Sequence, residues 1–432
     1  MERLLARRIT PLVRWAIFAA ITIASSVLII AATKYAVADH WAESMNPALW
    51  LRAAQLESAN ADYWYHLGRY RQLDFENSNL PLAISYYERA TRINPGSPSM
   101  WMDLGSAYET AGDAGPAEQA FQKAQQDYPI SAQVAWAYGN FLLRQNRTQE
   151  AFGQVQRAVR ADPNLTAVAV SRCWRSTQDI NQILDFALPP TAAAYWGAIE
   201  FFVQAQEPEA ATAVWKRLAA LKTSFPVSNA FPVLALLVSS GRADDAQMVW
   251  RQALSAAATA PEYEPSSSLV WNGSFEHELL NGGLAWQYKT IAGASMDLDD
   301  GTAQSGSRSF RVAFDGTVNV DFANLWQYII VAPNTRYRFS TYTREEDVTT
   351  DSGIRFEIVD LKQGTRTTTS NKVGTQPWSL DQIELTTGPQ TKLLQIILRR
   401  FQSNMLGNKI RGTAWVDNVS LTALPASGPT TK

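Results

Sequence analysis

The sequence predicts a multidomain chain: an N-terminal transmembrane helix, an all-α solenoid of stacked helix pairs, and a C-terminal all-β sandwich. Three observations carry this. Residues 15–33 form an uncharged apolar run, residue types recur every 34 positions between residues 83 and 163, and after residue 268 the pattern changes to short runs in which apolar and polar residues alternate. The divisions expected are 1–38 for a cytoplasmic N-terminus and anchor, 39–260 for the solenoid, 261–268 for a linker, 269–424 for the β domain and 425–432 for a tail.

The anchor comes first. Trp15 to Thr33 is nineteen residues without charge. As a helix it spans roughly 28 Å, close to a bilayer core of about 30 Å. Arg3, Arg7, Arg8 and Arg14 precede it, whereas Lys34, Asp39 and Glu43 follow. That asymmetry places the N-terminus in the cytoplasm and the bulk of the chain outside a single-pass inner membrane anchor. A cleaved signal peptide with Ala36-Val37-Ala38 at its site is the rival reading, but the apolar run is longer than a usual signal core. Both readings export the remainder.

Composition fits such a chain. Of 432 residues 46% are hydrophobic and 18% charged, which suits folded rather than disordered segments. A net charge of −2 supplies no general attraction to nucleic acid. Cys173 is the only cysteine, so no intrachain disulfide can form, which is compatible with export.

The repeat is read by self-alignment. Ala83, Ala117 and Ala151 are spaced by 34, as are Ala90, Ala124 and Ala158, and Pro95, Pro129 and Pro163. The bulky position between them reads Tyr87, Phe121, Val155. Upstream stand Trp64-x-x-Leu67-Gly68, Trp101-x-x-Leu104-Gly105 and Tyr138-Gly139. Small residues allow two antiparallel helices to approach, a bulky one fills the gap, and proline stops the second helix. Weaker echoes follow at Ala211 and Trp215, and at Gly241, Ala246, Trp250 and Ala253, with an irregular stretch over 165–190 and a capping helix expected over 39–59. The pattern resembles the tetratricopeptide repeat. That resemblance implies a protein-binding groove lined by the fifth, ninth and twelfth positions of each unit. Here these are Tyr65, Arg69 and Gln72; Met102, Ser106 and Glu109; and Trp136, Asn140 and Leu143. The set lacks the Lys/Asn cluster that clamps a C-terminal carboxylate in some members. Trp136 is either a groove anchor or packing between repeats.

Ser255 to Ser268 is rich in Ala, Pro and Ser and marks a boundary. Beyond it, residues 309–314, 336–342, 355–359, 393–400 and 414–421 read as strands bounded by Gly, Asn, Asp and Pro, as in an antiparallel sandwich. Asn272-Gly273-Ser274-Phe275-Glu276, Trp286, Ser305-Gly306-Ser307, Ala332-Pro333-Asn334-Thr335 and Trp415-Val416-Asp417-Asn418-Val419 occur in an order that is similar to jelly-roll carbohydrate-binding modules of the galactose-binding-like superfamily. The resemblance implies glycan binding and a structural calcium held by Glu276 and Asp417, against the alternative of plain turn acidity; no other cofactor is implied. Trp286, Trp326, Tyr328, Tyr342 and Trp378 are available for sugar stacking, yet most are expected in the core, and no glycan-binding subset stands out.

Catalytic motifs are missing. His40, His66 and His277 have no metal spacing, and there is no nucleophile elbow, P-loop or dinucleotide fingerprint. The expected function is a membrane-anchored extracytoplasmic scaffold, non-enzymatic, binding protein through its repeats and polysaccharide through its β domain, in bacterial cell-envelope or exopolysaccharide assembly and export. The alternatives are a purely protein–protein adaptor and a carbohydrate-active enzyme, which needs only two carboxylates.

Overall fold

The structure is a computed structural model that describes residues 11–44, 46–76, 78–257 and 267–425. Arg3, Arg7 and Arg8, most of the expected linker and the expected tail lie outside the described residues. Contacts divide the chain into two compact units, 1–190 and 191–432, so the helical repeat expected over 39–260 is shared between them.

The first unit opens with α1 (Pro11–Ala42), an unbroken helix of 32 residues. Its apolar stretch is exposed along residues 11–36, and the helix is long and apolar enough to cross a membrane. Its last turns differ from the rest: Ala38 is fully buried and packs with Ala53, Ala54, Trp64 and Leu67. The capping helix expected over 39–59 is therefore divided. Asp39 to Ala42 complete α1, and α2 (Pro47–Leu56) starts afresh, because Asn46 caps it through the Ala48 N–H and Pro47 sits in its first turn.

Three regular helix pairs follow: α3 (Ala61–Leu73) with α4 (Leu80–Ile93), α5 (Pro98–Ala111) with α6 (Ala114–Asp127), and α7 (Ala132–Arg144) with α8 (Thr148–Ala161). Pro95, Pro129 and Pro163 each stand just beyond the second helix of a pair. Ala83, Ala117, Ala151, Ala90, Ala124 and Ala158 are completely buried. The glycines mark the closest approach. A Cβ on Gly68 would meet the Tyr87 ring at 2.7 Å, on Gly105 the Phe121 ring at 3.1 Å, and on Gly139 the Val155 side chain at 3.3 Å. The irregular stretch is real: α9 (Thr166–Thr177) leads into a short α10 (Ile180–Gln182) that widens into a π-turn at Ile183–Ala187.

The second unit begins with α11 (Ala192–Gln204) and α12 (Pro208–Ala220), then α13 (Phe231–Ser239) and α14 (Ala243–Ala256). Trp215, Ala211, Ala246 and Ala253 are fully buried, as the echo of the repeat requires. Ten strands follow. They are β1 (Gln287–Tyr288), β2 (Ala294–Asp299), β3 (Ser309–Asp315), β4 (Phe322–Ile330), β5 (Arg336–Val348), β6 (Arg355–Asp360), β7 (Arg366–Thr368), β8 (Gly374–Thr386), β9 (Leu393–Arg400) and β10 (Arg411–Ala423). They form two antiparallel sheets of order β1-β4-β9-β6-β7 and β2-β3-β10-β5-β8, here sheets A and B. Between them lies a core of Phe275, Trp286, Phe310, Phe322, Phe339 and Phe356 with many aliphatic neighbours. β8 was not anticipated. It is a polar edge strand carrying Pro377, a residue a sheet tolerates at its edge and not at its centre.

The helices and the sandwich of this unit share a packed seam. Gly282 lies so close to Phe231 that a Cβ would stand 2.1 Å from its ring, and Gly283, at φ +62°, touches Trp250. The Trp250 and Trp271 rings meet edge to face at 6.1 Å, and Lys392 pairs with Asp244.

Candidate functional site

Two surfaces collect the chemistry. The first runs across α3, α5 and α7, the leading helices of the regular pairs. All nine expected groove residues are on these helices, and none is buried. Several are tied to the next repeat. The Tyr65 hydroxyl donates to Asp103 at 2.7 Å, and Arg69 lies 3.7 Å from the same carboxylate. Burial and that carboxylate push the Tyr65 phenol up to about 12. Arg144 grips Glu109 with two bonds, at 2.6 and 2.7 Å. Charge on this face is thus largely internally paired. Gln72 is partly engaged, since its side-chain oxygen accepts the Tyr87 hydroxyl at 2.7 Å. Leu143 packs against the Phe121, Tyr138 and Phe141 cluster. Met102 and Ser106 are half-buried. Trp136 is half-buried too, and the Asn140 amide donates to its carbonyl at 2.8 Å. Asp103 and Arg144 were missed by position counting; the signal was their opposite charge one repeat from Arg69 and Glu109.

The second surface is the outer face of sheet A. Strand alternation turns Leu325, Gln327 and Ile329 inward and Trp326 and Tyr328 outward, so the face these two rings share is not the core. Gln327 is fully buried and exchanges amide hydrogen bonds with the Trp271 backbone, which pins the start of the domain to β4. Outward on β9 and β6 stand Gln395, Arg399, Arg355 and Glu357. In register, Trp326 faces Ile397, Ile397 faces Glu357, and Arg399 faces Arg355. Glu357 is nearly buried between Arg366 at 3.0 Å and Arg399 at 3.9 Å. Lys289 stands 5.8 Å over the Trp326 ring. Phe401, just after β9, lies beneath both Arg399 and Arg355. Arg400 is fully buried and holds the strand end there, donating to Asn319 at 2.7 Å and to the Ser352 carbonyl at 3.0 Å. Of the other aromatics, Trp286 is in the core, whereas Tyr342 and Trp378 are half-buried on sheet B. The arginines of this face, Lys289 and Phe401 escaped sequence reading, because only the pairing of β6 with β9 and of β1 with β4 places them on it.

Glu276 and Asp417 converge on the 304–308 loop. Asp417 is fully buried, with Oδ2 accepting the Gln304 and Ser305 N–H groups at 2.8 and 3.1 Å. Burial raises its pKa. Burial works on Glu276 in the same direction, but the Ser307 hydroxyl and the N–H groups of Ser307 and Arg308 prevail and hold it low. Calcium takes six to eight oxygen ligands. Both carboxylates already serve amide and hydroxyl donors, and no group of three His, Cys, Asp or Glu side chains is placed for a metal among the described residues. His40, His66 and His277 are exposed, on α1, α3 and the segment before β1.

Helix pairs closed by small residues, joined to a two-sheet sandwich, define a repeat protein carrying a jelly-roll module. Over residues 72–129 and 116–165 the helix pairs match the profile of the tetratricopeptide repeat family. No curated protein matches the chain. Among solved structures, the chain is similar to the CBM22-1 xylan-binding domain of Paenibacillus barcinonensis Xyn10C, at 16% identity and TM-score 0.26, covering 36% of this chain and 94% of that one. It is similar to the tetratricopeptide protein YrrB at 16% identity and TM-score 0.27, covering 40% and 91%. A family 16 carbohydrate-binding module shows 16% identity and TM-score 0.25, covering 36% and 99%.

Proposed function

We propose that this chain is a non-catalytic scaffold fixed to the cytoplasmic membrane by α1. Its repeats hold a protein partner outside the cytoplasm, and its sandwich contacts polysaccharide during envelope or exopolysaccharide assembly and export. The observation that carries the reading is the coexistence of two side-chain-rich faces, on α3-α5-α7 and on sheet A, with an exposed apolar helix. Burial of Ala38 against α2 and α3 supports retention of α1, since cleavage at the Ala36-Val37-Ala38 site would withdraw Ala38 from a packed cluster. Trp136 supports the protein-binding arm, because a half-exposed aromatic among paired charges offers a partner apolar area. Trp326 and Tyr328 support the glycan arm as stacking surfaces.

Site-specific photo-crosslinking in membranes tests the protein arm. A crosslinker replacing Trp136 is expected to trap one discrete protein, and the same crosslinker at exposed Gln133 is expected to trap none. Loss of residues 1–38 from the purified chain, read by intact mass, would remove the anchor from this reading.

A further inference from the structure

Two arginines on the outer face of sheet A stand in an arrangement that sheet energetics disfavour. Arg355 and Arg399 are directly opposed across the β6–β9 ladder, and like charges opposed in this way repel. The Phe401 ring backs both guanidinium groups, at 5.2 and 4.4 Å. Arg399 is compensated by Asp321 at 2.6 Å and by Glu357. Arg355 is not. Among the described residues no carboxylate pairs with it. Its Nη2 donates to the Asn371 side-chain oxygen at 2.7 Å and more distantly to the Ser352 hydroxyl at 3.5 Å. Its Nε is shut off from solvent with no acceptor. Burial, and then the charge of Arg399, lower its pKa from the usual arginine value. That Nε is closed to a ligand as it is to water, so the donor left for an outside acceptor is Nη1, which makes no hydrogen bond among the described residues; bonds between a guanidinium and a carboxylate are the strong, charge-assisted kind. Lys289, above Trp326, likewise has no carboxylate partner among the described residues.

We infer that the outer face of sheet A takes a carboxylate-bearing glycan, a uronate-containing chain, with one carboxylate seated between Arg355 and Arg399 and a sugar ring beside Trp326. This rests on the glycan arm proposed above and names its ligand class. Charge complementarity argues for the acid. The position in the sheet argues against an extended peptide, which adds to a free strand edge. β4, β9 and β6 are interior strands already paired on both sides.

The test uses the full chain in detergent and isothermal titration with four probes. These are a polygalacturonate oligomer, a neutral galactan oligomer of equal length, polyglutamate and dextran sulfate. The acidic sugar is expected to bind about tenfold more tightly than the neutral one at low salt, and to lose that advantage at about 0.5 M NaCl, where charges are screened. Arg355→Gln is expected to abolish the advantage, and the exposed-site variant Lys289→Gln to reduce it with an unchanged melting curve. Equal affinity for both sugars, or an advantage untouched in both variants, overturns the inference while the glycan arm stands. Polyglutamate or dextran sulfate binding as well as polygalacturonate shows general polyanion attraction and also overturns it. A folded chain that binds neither sugar overturns the glycan arm itself.

Discussion

Glu345 shows how much one side chain can set against its own fold. It points inward from β5 beside Thr341 and Thr343, fully shielded, and neither carboxylate oxygen has a partner. Burial raises its pKa above the ordinary value. The folded chain therefore holds this proton more tightly than the unfolded chain does. Below the unfolded pKa the carboxyl is protonated in both states and its ionisation costs nothing. As pH rises from there toward the raised folded value, stability is lost, and the loss is complete only above that value. Glu345→Gln is accordingly expected to stabilise the protein by about 1–3 kcal/mol at neutral pH, with the gain vanishing near about pH 4. Urea midpoints at the two pH values check this. An equal gain at both would trace the effect to shape and not to charge. Cys173 offers a contrast, since burial lifts its thiol to about 12 and keeps it inert at no comparable cost.

Among elements, the three regular helix pairs form a graded series at one structural position. Replacing a helical glycine with alanine favours the helix by about 1 kcal/mol. Overpacking against a rigid neighbour costs about 1–3 kcal/mol. The clearance decides the sign. Gly68→Ala drives a Cβ into the Tyr87 ring at 2.7 Å, Gly105→Ala meets Phe121 at 3.1 Å, and Gly139→Ala meets Val155 at 3.3 Å. Expected outcomes are clear destabilisation for the first, near cancellation for the second and a neutral or slightly stabilised third. Chemical denaturation of the three variants would show this order; a flat series would mean that the helices slide apart at little cost. The order follows the filling residue of each repeat, so that degeneracy at Tyr87, Phe121 and Val155 carries structural information.

For the molecule as a whole, the seam in the second unit matters most. The Ala-, Pro- and Ser-rich segment reads as a domain boundary, yet Gly282, Gly283 and Trp271 pack directly on Phe231 and Trp250. A fragment spanning 191–432 is expected to melt in one cooperative transition. A fragment spanning 269–432 leaves the Trp271 side of the seam uncovered and is expected to melt at least about 5 °C lower, the equivalent of about 2 kcal/mol for a domain of this size. Calorimetry of both fragments checks it. Equal melting points would show that the sandwich gains nothing from α13 and α14.

An uncharged run was enough to define the long apolar N-terminal helix, and periodicity the 34-residue helix pairs and the alternating strands, since these depend on local spacing along the chain. Trp64, Gly68, Ala83 and Tyr87 disclose a repeat because each recurs at its own fixed position. The edge strand β8, with its polar and proline-containing sequence, lacked that signal. The seam, the inward Glu345 and the opposed Arg355 and Arg399 were decided only by tertiary structure. They depend on which distant strands become neighbours and in what register, and a sequence records spacing along the chain but not the pairing of residues forty positions apart.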